Sequence, residues 1–253
     1  MTTENSEEAK KDISVFFPVY NDWGTIGSMV VTAISVLDRV ARDYEIILVD
    51  DGSQAQTRGI LEKINLFSDR VRVVYHERNQ GYGRAIRTGI QESKYQYIFY
   101  TDADAQYDAR ELELLLPSMT EGVDIVNGYK IRRSDPLYRV IIGKLYHHIT
   151  RLMFRFPIRD IDCDFRLMRK SIFDQVELES NSGVICVEMI TKIHRAGFRF
   201  AEVGVHHYFR TSGKSQFFTF RRVFRVGIDL LKLWWKLVIR REESRRGRAG
   251  ELL

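Results

Sequence analysis

The stretch Tyr44-Glu-Ile-Ile-Leu-Val-Asp-Asp-Gly-Ser53 decides how the chain is read. Its first six residues are mostly large and apolar, without strict alternation, and that describes a buried strand. Asp50, Asp51 and Gly52 then stop it with a turn. The same figure recurs on both sides. Upstream, Ile13 to Pro18 is a short apolar run that ends in a turn at Pro18 to Asp22, and a helix-period stretch follows from Thr25 to Val40. Downstream come a helix from Gln56 to Leu66, a strand from Val71 to Tyr75, a helix from Tyr82 to Ser93, and a strand from Tyr97 to Tyr100 that runs into Thr101-Asp102. This alternation predicts an α/β fold with a mainly parallel sheet flanked by helices. In such sheets ligands bind beyond the carboxyl ends of the strands, where three polar or acidic clusters here follow three strands.

The second half predicts helices over Arg110–Met119, Leu137–Phe156, Val184–Ala196 and Phe220–Ile239, with strands over Asp124–Tyr129 and Phe200–Tyr208. Leu137–Phe156 is amphipathic. In Phe220–Ile239, Arg221, Arg222, Arg225, Asp229, Lys232 and Lys236 fall in one stripe, and the remaining positions are largely apolar, including Trp234 and Trp235. Residues 1–11 and 241–253 read as flexible ends, 12–216 as one catalytic domain, and 217–240 as an amphipathic helix suited to a membrane interface or to packing on protein.

Composition narrows the function classes. The 253 residues are 44% hydrophobic, enough to fill a sizeable core. The net charge of +5 is unevenly spread: Arg199 to Leu253 holds 13 Lys or Arg against 5 Asp or Glu. An anionic partner is expected there, and the apolar bulk beside the basic stripe argues against nucleic acid. Cys163 and Cys186 show no metal-ligand spacing and read as reduced thiols, so a cytoplasmic setting is expected. No apolar run reaches the length of a membrane span.

Tyr100-Thr-Asp-Ala-Asp-Ala-Gln106 carries the chemistry. Carboxylates at Asp102 and Asp104, with Gln106 beside them, can meet one hard cation, Mg²⁺ or Mn²⁺, whose remaining positions take diphosphate oxygens and water. Alone, such a motif also fits a solvated acidic turn. Asp51, and Asp22 within Pro18-Val-Tyr20-Asn-Asp22, could accept hydrogen bonds from a nucleobase or ribose, or serve as ordinary turns. In Asn79-Gln-Gly81-Tyr-Gly-Arg84-Ala85 the glycines would permit close backbone approach to a phosphate at a helix start.

Together, PVYND (Pro18–Asp22), VDDGS (Val49–Ser53), NQGYGRA (Asn79–Ala85) and TDADAQ (Thr101–Gln106) resemble family 2 glycosyltransferases of the GT-A (Rossmann-like) fold over Ile13 to Ser215, about four-fifths of the chain. Asp160-Ile-Asp-Cys-Asp-Phe-Arg166 and Arg210-Thr-Ser-Gly-Lys214-Ser215 resemble elements of dolichyl-phosphate mannose synthases and other polyprenyl-phosphate hexosyltransferases, although Asp164 stands where those usually have glycine. The resemblance implies a nucleotide-sugar donor held by Pro18, Tyr20, Asp22, Asp51, Gly81, Arg84, Asp102 and Ala103. It implies a metal at Asp102, Asp104 and Gln106. Asp104, Arg210, Lys214, Arg139 and Lys130 would form the catalytic centre, with the four basic residues gathering the acceptor phosphate and the donor diphosphate. The expected reaction is inverting transfer of a hexose from GDP-mannose or a UDP-hexose to a polyprenyl or dolichyl monophosphate. It would take place at the cytoplasmic face of a membrane, with peripheral attachment, a membrane-protein partner or a homo-oligomer. The alternatives are transfer to a glycan or protein hydroxyl, with Glu188 or Asp162 as base, and a binding module without catalysis.

Overall fold

The computed structural model describes residues 10–131, 137–211 and 220–241. The strands are β1 (Lys11–Val19), β2 (Ala41–Asp50), β3 (Val71–Tyr75), β4 (Tyr97–Thr101), β5 (Ile125–Lys130), β6 (Phe165–Arg169) and β7 (Phe200–Val205). The helices are α1 (Ile26–Val40), α2 (Ala55–Asn65), α3 (Tyr82–Glu92), α4 (Leu112–Leu115), α5 (Leu137–Phe154), α6 (Ile172–Gln175), α7 (Ile185–Arg195) and α8 (Phe220–Trp234). One sheet holds all seven strands in the order β3-β2-β1-β4-β6-β5-β7. β1 to β4 run parallel, β6 is antiparallel to both β4 and β5, and β7 is parallel to β5.

The sheet separates two apolar cores, which is why its central strands are apolar on consecutive residues. Along β2, Ile46 and Leu48 enter one core with the α1 residues Met29, Val30, Ala33 and Leu37. Ile47 and Val49 enter the other with Ile86 and Ile90 of α3, Ile190 and Ile193 of α7, and Leu230 and Leu233 of α8. Each such side chain contributes about 1.5–3 kcal/mol when fully buried.

Several elements differ from the sequence reading. β1 continues through Pro18 to Val19; its pairing with β4 ends at Phe16↔Tyr100, so the missing N–H of Pro18 lies beyond that ladder. The helix expected over Arg110–Met119 breaks into short turns around α4, because Pro117 has no N–H to donate. β7 stops at Val205, since the next amide, of His206, donates to Glu111 Oε2 at 2.8 Å instead of to a strand. α8 ends in a π-turn over Trp235–Ile239, closed by Arg240 N–H donating to the Trp235 carbonyl at 2.9 Å.

β6 is absent from the sequence reading because Arg166 interrupts its apolar pattern. That arginine is fully buried. Its Nε donates to Asn127 Oδ1 at 2.6 Å, Nη2 to the Ile161 carbonyl at 2.6 Å, and Nη1 to Asp164 Oδ1 at 2.8 Å and to the Tyr100 hydroxyl. A buried guanidinium survives here because its donors are paired.

Gly89 sets how closely α3 sits on β1. A Cβ there would stand 2.3 Å from the Phe16 ring. Gly89→Ala is therefore expected to cost about 1–3 kcal/mol by overpacking. Chemical denaturation would show a lower midpoint with an unchanged slope.

Candidate active site

The turns after β1, β2 and β4 meet at one edge of the sheet. The first reverses through Asn21, whose φ of +63° its short side chain tolerates. Asn21 N–H donates to Ser53 Oγ at 3.0 Å, and Gln54 N–H returns a bond to Asn21 Oδ1 at 2.9 Å, which stitches the turns after β1 and β2 together. Tyr20 N–H donates to Asp22 Oδ2 at 3.2 Å and fixes that carboxylate. The Thr25 hydroxyl donates to the Ala103 carbonyl at 2.6 Å, tying the start of α1 to the turn after β4. That turn passes through Ala105 at φ +58°, a left-handed conformation that alanine rarely adopts, and the Gln106 N–H then closes onto Asp104 Oδ1 at 3.0 Å.

A strap from His206 to Arg210 crosses this edge. Glu111 holds both the His206 amide and its Nδ1, while Tyr208 and Gln106 exchange two bonds: Tyr208 N–H to the Gln106 carbonyl at 2.8 Å and Gln106 Nε2 to the Tyr208 carbonyl at 3.2 Å. The strap delivers Arg210, whose Nη2 donates to Asp22 Oδ1 at 2.6 Å while Nη1 lies 3.4 Å from Asp104 Oδ2. One guanidinium thus spans carboxylates from two separate turns.

Negative charge is crowded here. Burial pushes the Asp102 carboxyl well above the usual carboxylate range, and Asp164 and Asp104 push it further. Burial also raises Asp22 and Asp104, against the pull of Arg210. The Tyr82 hydroxyl donates to Asp102 Oδ1 at 2.6 Å. Asp164 Oδ1 accepts from Arg166, from the Tyr100 hydroxyl at 3.2 Å and from the Cys186 thiol at 3.1 Å. Its turn forms without a left-handed residue, so aspartate is accommodated where the resembling sequences carry glycine.

The other expected residues take varied places. Asp51 is buried, and its oxygens accept from Gln80 N–H at 2.8 Å, Gly81 N–H at 2.9 Å and His76 Nδ1 at 2.8 Å, so it shapes the loop before α3. Gly81, at φ +101°, and Gly83 make room for the chain itself: a Cβ on Gly81 would stand 2.3 Å from the Asn181 carbonyl oxygen, and one on Gly83 2.5 Å from that of Ser180. On their Cβ side, then, the space these glycines leave is filled by that loop. Arg84 sits on the first turn of α3, and its buried Nε has no hydrogen-bond partner. The side-chain amide of Gln106 donates from Nε2 to the strap, and Asp102 and Asp104 supply the carboxylates of the metal candidate set. Pro18 lies inside β1. Lys130 is buried, 3.4 Å from Asp160 Oδ2, and donates to the Asp162 carbonyl at 2.7 Å. Arg139 belongs to α5, and Lys214 lies outside the described residues.

Glu188 is almost fully buried. It accepts from Glu179 N–H at 3.1 Å and Ser180 N–H at 2.8 Å, and it pairs with Lys192 at 2.6 Å. A carboxylate so enclosed caps a loop and cannot reach an acceptor hydroxyl. Its reading as a base is corrected on that ground.

Tyr82, Arg166 and His76 enter the site's framework without having been singled out, and Asp164 stands out in the sequence only as a departure from glycine. Tyr82 and Arg166 lie inside quoted motifs, but their spacing gave no sign of their partners. Among the described residues no three His, Cys, Asp or Glu side chains are arranged to hold a metal ion. A divalent cation here would rest on Asp102 and Asp104 with the ligand's own oxygens. The donor set fits such an ion: both groups are hard oxygen ligands, half-buried and mutually repelling, and Asp102 Oδ2 carries no hydrogen bond.

Residues 14–177 match the sequence family described as Glycosyl transferase family 2. The chain belongs to that family. The chain is 28% identical over 244 residues to glycosyltransferase AglD of Haloferax volcanii, covering 93% of this chain and 39% of AglD. It is 28% identical to an undecaprenyl-phosphate 4-deoxy-4-formamido-L-arabinose transferase of Enterobacter, covering 88% of this chain and 68% of that protein. Among solved structures it resembles Mycobacterium tuberculosis glucosyl-3-phosphoglycerate synthase bound to UDP, at TM-score 0.67 and 16% identity, over 89% of this chain and 79% of the other. It also resembles the mannosyltransferase PcManGT of Pyrobaculum calidifontis with GDP-Man and Mn²⁺, at TM-score 0.66 and 17% identity, over 94% and 66%. These likenesses establish the GT-A fold of the chain.

Because the Asp102 carboxyl is raised above its ordinary value of 3.8, the folded protein holds that proton more tightly than the unfolded chain does. The resulting stability is present below the unfolded value and lost as pH rises through the folded one. Asp102→Asn keeps an acceptor for Tyr82 and removes the charge. It is expected to raise the melting temperature of the metal-free protein at pH 7 by roughly 2–4 °C, for about 1 kcal/mol. The gain should shrink as pH falls toward the ordinary carboxylate range, which paired thermal melts of variant and wild type would show.

Proposed function

We propose that the transferase moves a hexose, with inversion, from GDP-mannose or a UDP-hexose to a polyprenyl or dolichyl monophosphate at a membrane surface. The observation that carries this is Arg210 spanning Asp22 and Asp104 beside Asp102 at the carboxyl edge of the parallel strands. Asp102 and Asp104 would hold Mn²⁺ or Mg²⁺, which when bound supplies Lewis-acid neutralisation of the diphosphate. The unmet Nε of Arg84 at the start of α3 suits an anionic donor group.

An oxygen of the acceptor phosphate bonds to the anomeric carbon as the carbon–diphosphate bond breaks, and that electron pair leaves with the nucleoside diphosphate. The acceptor has its second pKa near 6, so it is already a nucleophile at neutral pH and needs no base. What it needs is cations to offset the repulsion between two phosphate groups. Arg210, beside the carboxylates, would supply one such cation, with Lys130, Arg139 and Lys214 as further contributors. The enclosed state of Glu188 favours a phosphate acceptor over an alcohol, and the Enterobacter relative is named for an undecaprenyl-phosphate acceptor.

Membrane attachment has a physical basis on α5 and α8. α8 buries Leu230, Leu233 and, beyond it, Leu237, while Phe224, Ile228, Leu231, Trp235 and Ile239 face outward on the opposite side. α5 does the same with Ile142, Leu145, Ile149 and Leu152. The helices touch, the Trp234 indole donating to the Met153 carbonyl at 3.1 Å. Exposed Arg151, Arg225 and Lys232 flank the apolar stripes, a pattern suited to anionic headgroups. No helix among the described residues is long and apolar enough to cross a membrane. Both cysteines are thiols, in keeping with a cytoplasmic face.

Purified protein with polyprenyl phosphate, Mn²⁺ and labelled GDP-mannose or UDP-hexoses is expected to form a lipid-linked sugar. Transfer only to water-soluble hydroxyl acceptors would sink the lipid reading. Asp104→Ala is expected to lower turnover by at least about a hundredfold with the circular-dichroism spectrum retained.

A further inference from the structure

The donor loop is anchored from beneath by a group no motif contains. His76 follows β3 and is buried between two elements. Its Nδ1 lies 2.8 Å from Asp51 Oδ1, and its Nε2 lies 3.0 Å from the Thr88 hydroxyl on α3. A carboxylate can only accept, so Nδ1 carries a hydrogen toward Asp51, while Nε2 and the Thr88 hydroxyl share the second bond. The backbone locks the same place: His76 N–H donates to the Asp50 carbonyl at 2.8 Å. Gly52, at φ +72°, lies so close to Arg78 that a Cβ would stand 2.4 Å from its carbonyl carbon.

The path from His76 to the reacting edge is short. Asp51 holds the Gln80 and Gly81 amides, Gly81 caps α3, and Tyr82, the next residue, donates to Asp102. Two carboxylates at the edge are thus placed by a relay that runs through one imidazole: Asp51 directly, and Asp102 through the start of α3.

We infer that His76 is a positioning residue for the nucleotide-sugar donor, its Nδ1–H orienting Asp51 so that the start of α3 and Tyr82 are held for donor binding. This rests on the donor reading proposed above. His76 touches no reacting atom, so its loss should weaken donor binding and leave the chemical step largely intact.

The test measures UDP and GDP binding with Mn²⁺ by calorimetry, and donor KM and kcat, in wild type and in His76→Ala, His76→Asn and His76→Gln. Asparagine can place an amide N–H where Nδ1 stands, whereas glutamine replaces Nε2. His76→Ala and His76→Gln are expected to weaken nucleotide binding and raise donor KM by about tenfold with kcat within about threefold of wild type. His76→Asn should recover most of the affinity. Thr88→Val, which leaves the Asp51 bond in place, should have the smaller effect and serves if His76→Ala does not fold. Equal affinity in wild type, His76→Ala and Thr88→Val overturns the positioning role alone, as does an equal loss in His76→Asn and His76→Gln. Wild type that binds neither nucleotide overturns the donor reading and this inference with it.

Discussion

Repulsion between carboxylates withdrawn from water governs the working edge of this molecule. Asp22, Asp102, Asp104 and Asp164 arrive from two turns and the start of β6, and each is at least half-buried. In bulk water such a group would cost little; here burial lifts Asp22, Asp102 and Asp104 toward their neutral forms. Two guanidinium groups answer part of that charge. Arg166 sits below, fully enclosed and bonded to Asp164, and Arg210 lies across the top. The imbalance that remains is what a divalent cation and a phosphate-bearing ligand could resolve together.

Much of the surrounding structure exists to hold these groups in place against their own repulsion. Serine, threonine and asparagine side chains sew the turns after β1, β2 and β4 to one another. The glycines before and within α3 let the Ser180–Asn181 loop press against the helix start, and Glu188 ties that loop to α7. A site of this kind is rigid where it meets its own backbone and charged where it meets solvent. That division suits electrostatic catalysis, in which dipoles must be set before the reaction begins.

The parallel half of the sheet was legible because burial on both faces writes itself into β1, β2 and β4 as unbroken apolar runs. The acidic turns were legible for the same reason, since they interrupt those runs abruptly. β6 was not, because the residue that matters most in it is a buried arginine, and periodicity cannot tell an enclosed charge from a solvated one. The strap was hidden likewise: Phe200 to Tyr208 reads as one strand, and only Glu111, some ninety residues away, captures the His206 amide and ends the ladder. In Phe220–Ile239 the sequence revealed the basic stripe. It could not say that the apolar remainder divides into a face packed on the core and a face turned outward, because both halves have the same composition.

The bond between Arg210 and Asp22 joins residues 188 positions apart. During synthesis the first four strands leave the ribosome carrying Asp22 and Asp104 well before their shared counter-ion, Arg210, exists. Loop closure over so long a segment is slow compared with pairing of neighbouring strands. The acidic edge therefore passes through an interval in which its carboxylates face each other without that guanidinium. Maturation of the site is thus a late event, set by the arrival of the C-terminal third and not by the formation of the sheet.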